Sequence, residues 1–410
     1  MKFLFWLNIG FDRHGPSVHL LKGILQECLA AGHEVVVVAL NTGGSAPDIP
    51  PELEHSEKMV FEVVHRDQGS KGAFAKRYID YLLYYRDTRK LLKKHRDADA
   101  VFLQSCYYPL QPIRMAHRLN MPVLFNVQNI FPIDAGMLRL LPTRGIKGMP
   151  YRLLRWLQRR AYKKADCNVT ISGDMYKTLL NEGAPKDRLE VVYNWSYDDH
   201  RVEIPDAENL FLGDHPEFRD KFRVVFAGNL GSMVNYAIFA DAAEALLAYP
   251  DIAFIVIGDG NNMSRLKAAA RERGLNNMYF FPYQPEAYAR HNYAMAHVNI
   301  NALPKGIITT CMPSKTATML NSARPMVVAV EKDSDYARIL REVDKCTVVE
   351  WDDSKGFIEG ILKVYNTGDY SDSANSRDVF RKYCSRDNAR DYVRLLEKTA
   401  KNARKQARGE

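Results

Sequence analysis

The chain has no apolar run approaching the ~20 residues that a membrane-spanning helix requires. Its start, MKFLFWLNIGFDRHG, is apolar for only a few residues before Asn8, Gly10 and charged side chains, so it reads as a first strand rather than a signal peptide. The six cysteines (Cys28, Cys106, Cys167, Cys311, Cys346 and Cys384) are scattered without CxxC spacing, which argues against a disulfide scaffold or a structural zinc and fits a reducing cytoplasm. Low-complexity tracts and a disordered composition are both missing. His14, His19, His117 and His291 lack metal-ligand spacing, and the Asp97-Ala98-Asp99 triplet sits before a strand as a solvated turn, so no metal site is expected. No nucleic-acid module is recognisable. The formal charge of +8 and pI near 9.0 then point to an anionic lipid or a phosphorylated ligand.

What the sequence does contain is alternation. At 410 residues it exceeds one ordinary core and suggests two domains. Short apolar runs in the first half (KFLFWLN, EVVVVAL, MVFEVVH, AVFLQS, PVLFNVQN, CNVTIS, LEVVYN), most of them carrying β-branched residues, alternate with helical patterns. Leu21, Ile24, Leu25, Cys28 and Leu29 recur at helical spacing between the first two runs, making a βαβ unit and implying a parallel sheet. Residues 195–222 are polar and without a clear period, and read as an interdomain connection. The alternation then restarts with RVVFAGNL, IAFIVIGDG, NMYFFPY, HVNINAL, PMVVAV and CTVVEW. The expected class is α/β, with two doubly wound, Rossmann-like domains over residues 1–200 and 201–377 facing across a cleft. A last helical stretch, about 378–401, is expected to pack back on one of them.

Four turns are candidate ligand sites. Gly10 and Gly15 lie between the first strand and a helix start, where exposed backbone amides attract anions. This is not GxGxxG, and Asn41-Thr42 stands where a dinucleotide fingerprint needs an acid, so NAD binding is disfavoured. Gly228-Asn229-Leu230-Gly231 ends a later strand and suits a phosphate, while Gly258 and Gly260 could border a base or ribose. Pro313-Ser314-Lys315 opens a helix whose first free N–H groups, with the lysine beside them, make a compact anion site. Each of these also reads as an ordinary tight turn or a capped surface helix.

In order and spacing, GNLGSMVNY, IVIGDG, FPYQPEAYARHNYAMAHVNINAL and PSKTATMLNSARPMVVA resemble the donor-binding domain of family 4 glycosyltransferases. VQNIFPIDA and RRAYKKADCNVTISGDMYKTLLNEGAPKDRLEVVYNW resemble its first half, with the likeness strongest to bacterial enzymes of capsule, exopolysaccharide and O-antigen assembly. The resemblance implies a GT-B fold and a retaining transfer from a nucleotide sugar, with no cofactor and no metal. UDP is the expected nucleotide, and a hexosyl or N-acetylhexosaminyl group is expected to pass to a lipid-linked saccharide. It further implies that Gly228, Asn229 and Asn235 face the donor phosphates and that Gly258, Asp259, Gly260, Tyr283 and Gln284 surround the nucleoside. Ser314, Lys315 and Thr318 would hold the diphosphate and ribose, with Gly15, Asn229 and Lys315 as the catalytic set. His14, Gln128 and Asn129 fall on the acceptor side. Two departures stand out: Thr310 and Thr318 occupy the positions of a glutamate pair common in the family. A nucleotide-sugar 2-epimerase, or a silent GT-B partner subunit, is the alternative.

Two basic stretches, 71–96 and 137–164, interleave Lys and Arg with Tyr, Trp and Leu, and the second contains no acidic residue. Arg152, Arg155, Trp156, Arg159 and Arg160 are the expected contacts with an anionic membrane surface, placing a peripheral protein on the inner face of the cell membrane.

Overall fold

A computed structural model describes residues 1–8, 16–41, 53, 56–65, 74–196 and 204–408. The chain divides into two compact units, one of residues 1–194 with 386–410, the other of residues 195–385. All thirteen expected strand runs form strands, and every pairing is parallel.

The first unit is built on β1 (Lys2–Trp6), β2 (Glu34–Asn41), β3 (Met59–His65), β4 (Ala100–Gln104), β5 (Val123–Val127), β6 (Cys167–Thr170) and β7 (Leu189–Val191). Their order is β3-β2-β1-β4-β5-β6-β7, so the winding reverses between β1 and β4. β4 and β5 are buried at every residue, as continuous apolar runs covered on both faces must be. The second unit carries β8 (Phe222–Ala227), β9 (Ile252–Ile257), β10 (Met278–Phe281), β11 (Val298–Ala302), β12 (Met326–Ala329) and β13 (Cys346–Val349). Here the order is β10-β9-β8-β11-β12-β13, and the reversal falls between β8 and β11. Phe226, Phe239, Phe254, Val298, Ile300 and Phe357 centre its core.

Two expectations need correction. The described part of the 195–222 connection is folded into the second unit rather than free. It forms short helices at Asp206–Glu208, Leu210–Asp214 and Pro216–Phe218, and buries Phe211, Leu212 and Phe218. Buried Arg223 of β8 holds it: the guanidinium donates to the Phe218, Arg219 and Met295 carbonyls at 3.1, 2.9 and 2.6 Å and pairs with Asp206 at 2.5 Å. Helices of three to five residues are too short to show a period. The final helical stretch is likewise two helices. Ser376–Cys384 packs on the Lys315–Ser322 helix, where Ser376 Oγ donates to the Leu320 carbonyl at 2.9 Å. Asn388–Arg408 belongs to the first unit and lies along the Pro16–Ala30 helix.

The Asn388–Arg408 helix buries Ala389, Tyr392, Val393, Leu396 and Ala400, one apolar stripe at helical spacing. Its Tyr392 hydroxyl donates to Asn126 Oδ1 at 2.9 Å inside the sheet layer. Tyr392→Ala is expected to destabilise the protein by about 3–5 kcal/mol through the cavity and the lost bond, read as a lower urea midpoint.

Candidate functional site

In the second unit, the strands on either side of the winding reversal both lead into candidate site loops. β8 runs directly into Gly228-Asn229-Leu230-Gly231, and the segment after β11 leads to Pro313-Ser314-Lys315. Open parallel sheets bind ligands at this switch point, outside the carboxyl ends of the strands.

The two glycine turns are zipped together. Gly228 N–H donates to the Ile257 carbonyl at 2.9 Å, Leu230 N–H to Asp259 at 2.8 Å, and Asn262 N–H back to Leu230 at 3.0 Å. Gly258 and Gly260 have φ of +132° and +147°. A Cβ on Gly258 would overlap the Gly228 carbonyl oxygen, and one on Gly260 would overlap the Leu230 carbonyl. Glycine at both positions is what lets two strand ends approach this closely. Asn229 and Asp259 are exposed on the outer side of this pair, with the Asp259 carboxylate accepting the Gly260 N–H at 2.7 Å.

Lys315 lies against these turns. Its Nζ is enclosed, although the side chain as a whole is half-buried, and it has no hydrogen-bond partner among the described residues. The ammonium lies 3.5 Å from the centroid of the Phe226 ring, and a Cβ on Gly228 would sit 3.7 Å from it. Burial lowers its pKa to about 7. A cation so placed, with only a ring face beside it, is poised for an anion arriving from outside. The first-turn N–H groups of the Lys315–Ser322 helix lie in the same stretch of chain.

The other expected residues are placed unevenly. Ser314 occupies the cap position but is exposed and makes no side-chain capping bond, because its own backbone is already helical. Asn235 donates its side-chain N–H to the Trp351 carbonyl at 3.1 Å and its backbone N–H to Ala302 at 3.0 Å, so it braces the loop after β8 against the end of β11. Tyr283 is 57% exposed, and partial burial followed by the Asp259 charge raises its phenol pKa. Gln284 donates to the Pro282 carbonyl at 3.2 Å. Thr318 is half-buried three residues after Lys315. Thr310 is fully buried, and its hydroxyl donates to the Ile307 carbonyl at 2.9 Å. Glu331, just past β12, was not singled out from the sequence. One of its oxygens accepts the Gly306 N–H, while Oε2 is enclosed and without a hydrogen-bond partner among the described residues. A charged residue immediately after an apolar strand run was the available signal.

In the first unit, His14 and Gly15 lie outside the described residues. Gln128 belongs to a chain of amides: it donates to Asn126 at 3.1 Å and accepts from Asn194 at 2.9 Å, while Asn126 donates to Gln104 at 3.1 Å. Asn129 beside it is exposed. Asp97 holds the Lys2 ammonium at 2.7 Å, and Asp99 accepts the Lys2 N–H at 2.9 Å and pairs with Arg404. That triplet is therefore a structural turn at the amino end of β4. Among the described residues, no three His, Cys, Asp or Glu side chains are grouped to hold a metal.

The basic helix Met149–Lys164 sorts its arginines by side. Arg155 makes a two-point pair with buried Glu182 at 2.8 and 2.5 Å, and Arg159 donates to the Glu182 and Asn181 carbonyls at 3.2 and 3.3 Å. Neither stands as a free surface cation. Arg152 donates to the Gly145 carbonyl at 3.3 Å, and Arg160 stacks 4.1 Å over Trp156. Large apolar side chains are exposed among the basic ones: Ile146 is 85% exposed, Met149 59%, Leu153 56% and Trp156 48%. Among the described residues, no helix is long and apolar enough to cross a membrane.

The family model for a glycosyl transferase 4-like domain matches residues 15–195, and that for glycosyl transferases group 1 matches residues 210–302. The chain belongs to the family 4 glycosyltransferases. The transferase is 25% identical over 321 residues, 76% of each chain, to a probable glycosyltransferase, WbjE, of Pseudomonas aeruginosa. It is 24% identical over 233 residues, 56% of this chain and 57% of the relative, to WcaI of Escherichia coli K12, a putative colanic acid biosynthesis glycosyl transferase. The crystal structure of Anabaena HepE in complex with UDP-glucose superposes with a TM-score of 0.69 at 14% identity, over 98% of this chain and 99% of that one, which shows the GT-B fold. The group 1 match ends at residue 302, so the role of Lys315 rests on the geometry above.

Lys315→Met is expected to raise stability by roughly 2–4 kcal/mol at neutral pH, since it removes a desolvated cation. The wild-type lysine is depressed on folding, so its cost is complete below pH 7 and fades as pH rises from about 7 toward the unfolded value near 10.5. Thermal unfolding of both proteins across that range should show the gap closing as pH rises.

Proposed function

We propose that this transferase moves a hexosyl or N-acetylhexosaminyl group from a UDP-sugar to a lipid-linked saccharide, with retention, in assembly of a cell-surface polysaccharide. The observation that carries the reading is the enclosed, unpaired ammonium of Lys315 against the zipped glycine turns. A nucleotide diphosphate supplies the missing counter-charge. UDP as the nucleotide is supported by the UDP-glucose complex of HepE, and the polysaccharide role by the colanic acid assignment of WcaI.

In this reading the bond from the sugar C1 to the diphosphate oxygen breaks as the acceptor hydroxyl oxygen bonds to C1 on the same face. The hydroxyl proton passes to the departing phosphate oxygen. Lys315, Asn229 and the helix N–H groups stabilise the charge that grows on the leaving diphosphate, and Gly15 lets the other substrate approach. The positive charge comes from the protein, so no metal is required at this step. Thr310 is too buried to meet a sugar. We assign the carboxylate role that its position carries in related enzymes to Glu331, whose free oxygen lies at the carboxyl end of the neighbouring strand.

The same reading places the protein in the cytoplasm, peripheral on the inner membrane face. The exposed Ile146, Met149, Leu153 and Trp156 enter the lipid interface, with Arg152 and Arg160 beside them at the anionic headgroups. Leu153→Ser with Trp156→Ser is expected to weaken binding to anionic vesicles at least about tenfold, since two apolar side chains leave the interface. Replacing Arg155 and Arg159 by alanine is expected mainly to lower stability, because it strands buried Glu182.

Purified protein given UDP-sugars and a lipid-diphosphate saccharide should form product with EDTA present, and the new linkage should have the anomeric configuration of the donor by NMR. Inversion would refute the mechanism, and activity abolished by EDTA would reopen the metal question. Nucleotide binding without turnover on any donor would favour the silent partner subunit, the reading that buried Thr310 supports.

A further inference from the structure

The first unit contains an open cavity of about 480 Å³ bordered by the helices Phe74–Asp87, Leu110–His117 and Met149–Lys164 and by Arg89 at the start of the Arg89–Lys94 helix. Arg86, Arg89, Arg114 and Arg118 line it together with Leu82 and Leu157, and among the described residues no carboxylate does. Arg86 is held by Asp87 at 3.2 Å. The other three make no ion pair among the described residues. Arg114 and Arg118 stand one turn apart at the end of the Leu110–His117 helix. That helix follows β4 after a short turn, and β4 flanks the winding reversal of its sheet.

Three like charges around one small cavity repel each other unless an anion joins them. Guanidinium groups bind phosphate oxygens in pairs, with a geometry that a lysine cannot match. The number of free cations suits a diphosphate, which carries at least two charges, better than the single charge of a phosphodiester. The cavity also shares a helix with the apolar face: Leu157 lines it, and Leu153 and Trp156 stand next to it on the outward side. A lipid with its chain at that face brings its head to the arginines.

We propose that this cavity holds the diphosphate of the lipid-linked acceptor. The assignment rests on reading the chain as a transferase that acts on such a lipid. It adds Arg89, Arg114 and Arg118 as the acceptor's anion site, separate from the donor's diphosphate at Lys315.

The test is flotation with three vesicle types: neutral phosphatidylcholine, the same with phosphatidylglycerol, and the same with a polyprenyl diphosphate at matched charge. Wild type should prefer the diphosphate vesicles, and soluble pyrophosphate should compete. Arg114→Gln with Arg118→Gln should lower affinity for the diphosphate vesicles at least about tenfold and leave phosphatidylglycerol binding within about threefold. Both side chains are exposed, so an unchanged unfolding midpoint is expected to confirm that the variant is folded. Retained diphosphate preference in the variant would overturn the proposal. So would an equal loss on both charged vesicles, which would make the cavity a general site for anionic phospholipid. UDP titration of the same proteins reports separately: no UDP binding would count against the transferase reading whatever the vesicles show.

Discussion

The candidate donor site depends on one uncompensated charge. Lys315 places an ammonium where water is excluded, against the face of Phe226 and beside Gly228, with no carboxylate among the described residues to meet it. Desolvation makes that arrangement unfavourable in the empty protein, so it persists only because the surrounding fold dictates it. The parts that do so can be named. β8 brings Phe226 and Gly228 to the switch point, and the glycine pair at 258 and 260 lets the neighbouring turn close on the first. The site is thus a product of strand order and of two positions where no side chain fits.

The first unit shows a different balance. Part of its polar interior forms a connected chain: Gln104, Asn126, Gln128 and Asn194 bond to one another, and the Tyr392 hydroxyl of the final helix joins them at Asn126. Its surface carries exposed apolar side chains on the Met149–Lys164 helix and arginines around a cavity. In the proposed reading, the enclosed cation of one unit serves a water-soluble donor and the exposed apolar and basic surface of the other serves a membrane-borne acceptor.

Much of this was legible in the sequence, because it depends on local signals. Thirteen short apolar runs announced thirteen strands, and GNLGS, IGDG and PSK marked the turns after them. What stayed hidden depends on partners distant in the chain. Nothing near Arg155 reveals that Glu182 will claim it, so a stretch without acids read as uniformly available charge. The depth of Lys315 is set by Phe226, 89 positions earlier, and no property of the Pro-Ser-Lys triplet reports it. Thr310 stands where the family commonly has a glutamate, and its burial takes the hydroxyl out of a ligand's reach, which the sequence does not report. The 204–218 segment looked like a linker because much of what orders it, Arg223 and His291, lies outside it in the chain.

The most direct test is calorimetric titration of UDP, GDP, ADP and CMP into the wild type and Lys315→Ala. If the lysine is the phosphate anchor, the wild type binds one nucleoside diphosphate selectively. The variant then loses roughly tenfold to a hundredfold in affinity, the worth of one charge-assisted contact. Equal affinity in the two proteins would contradict the account, because the unpaired ammonium would then have no part in holding the nucleotide.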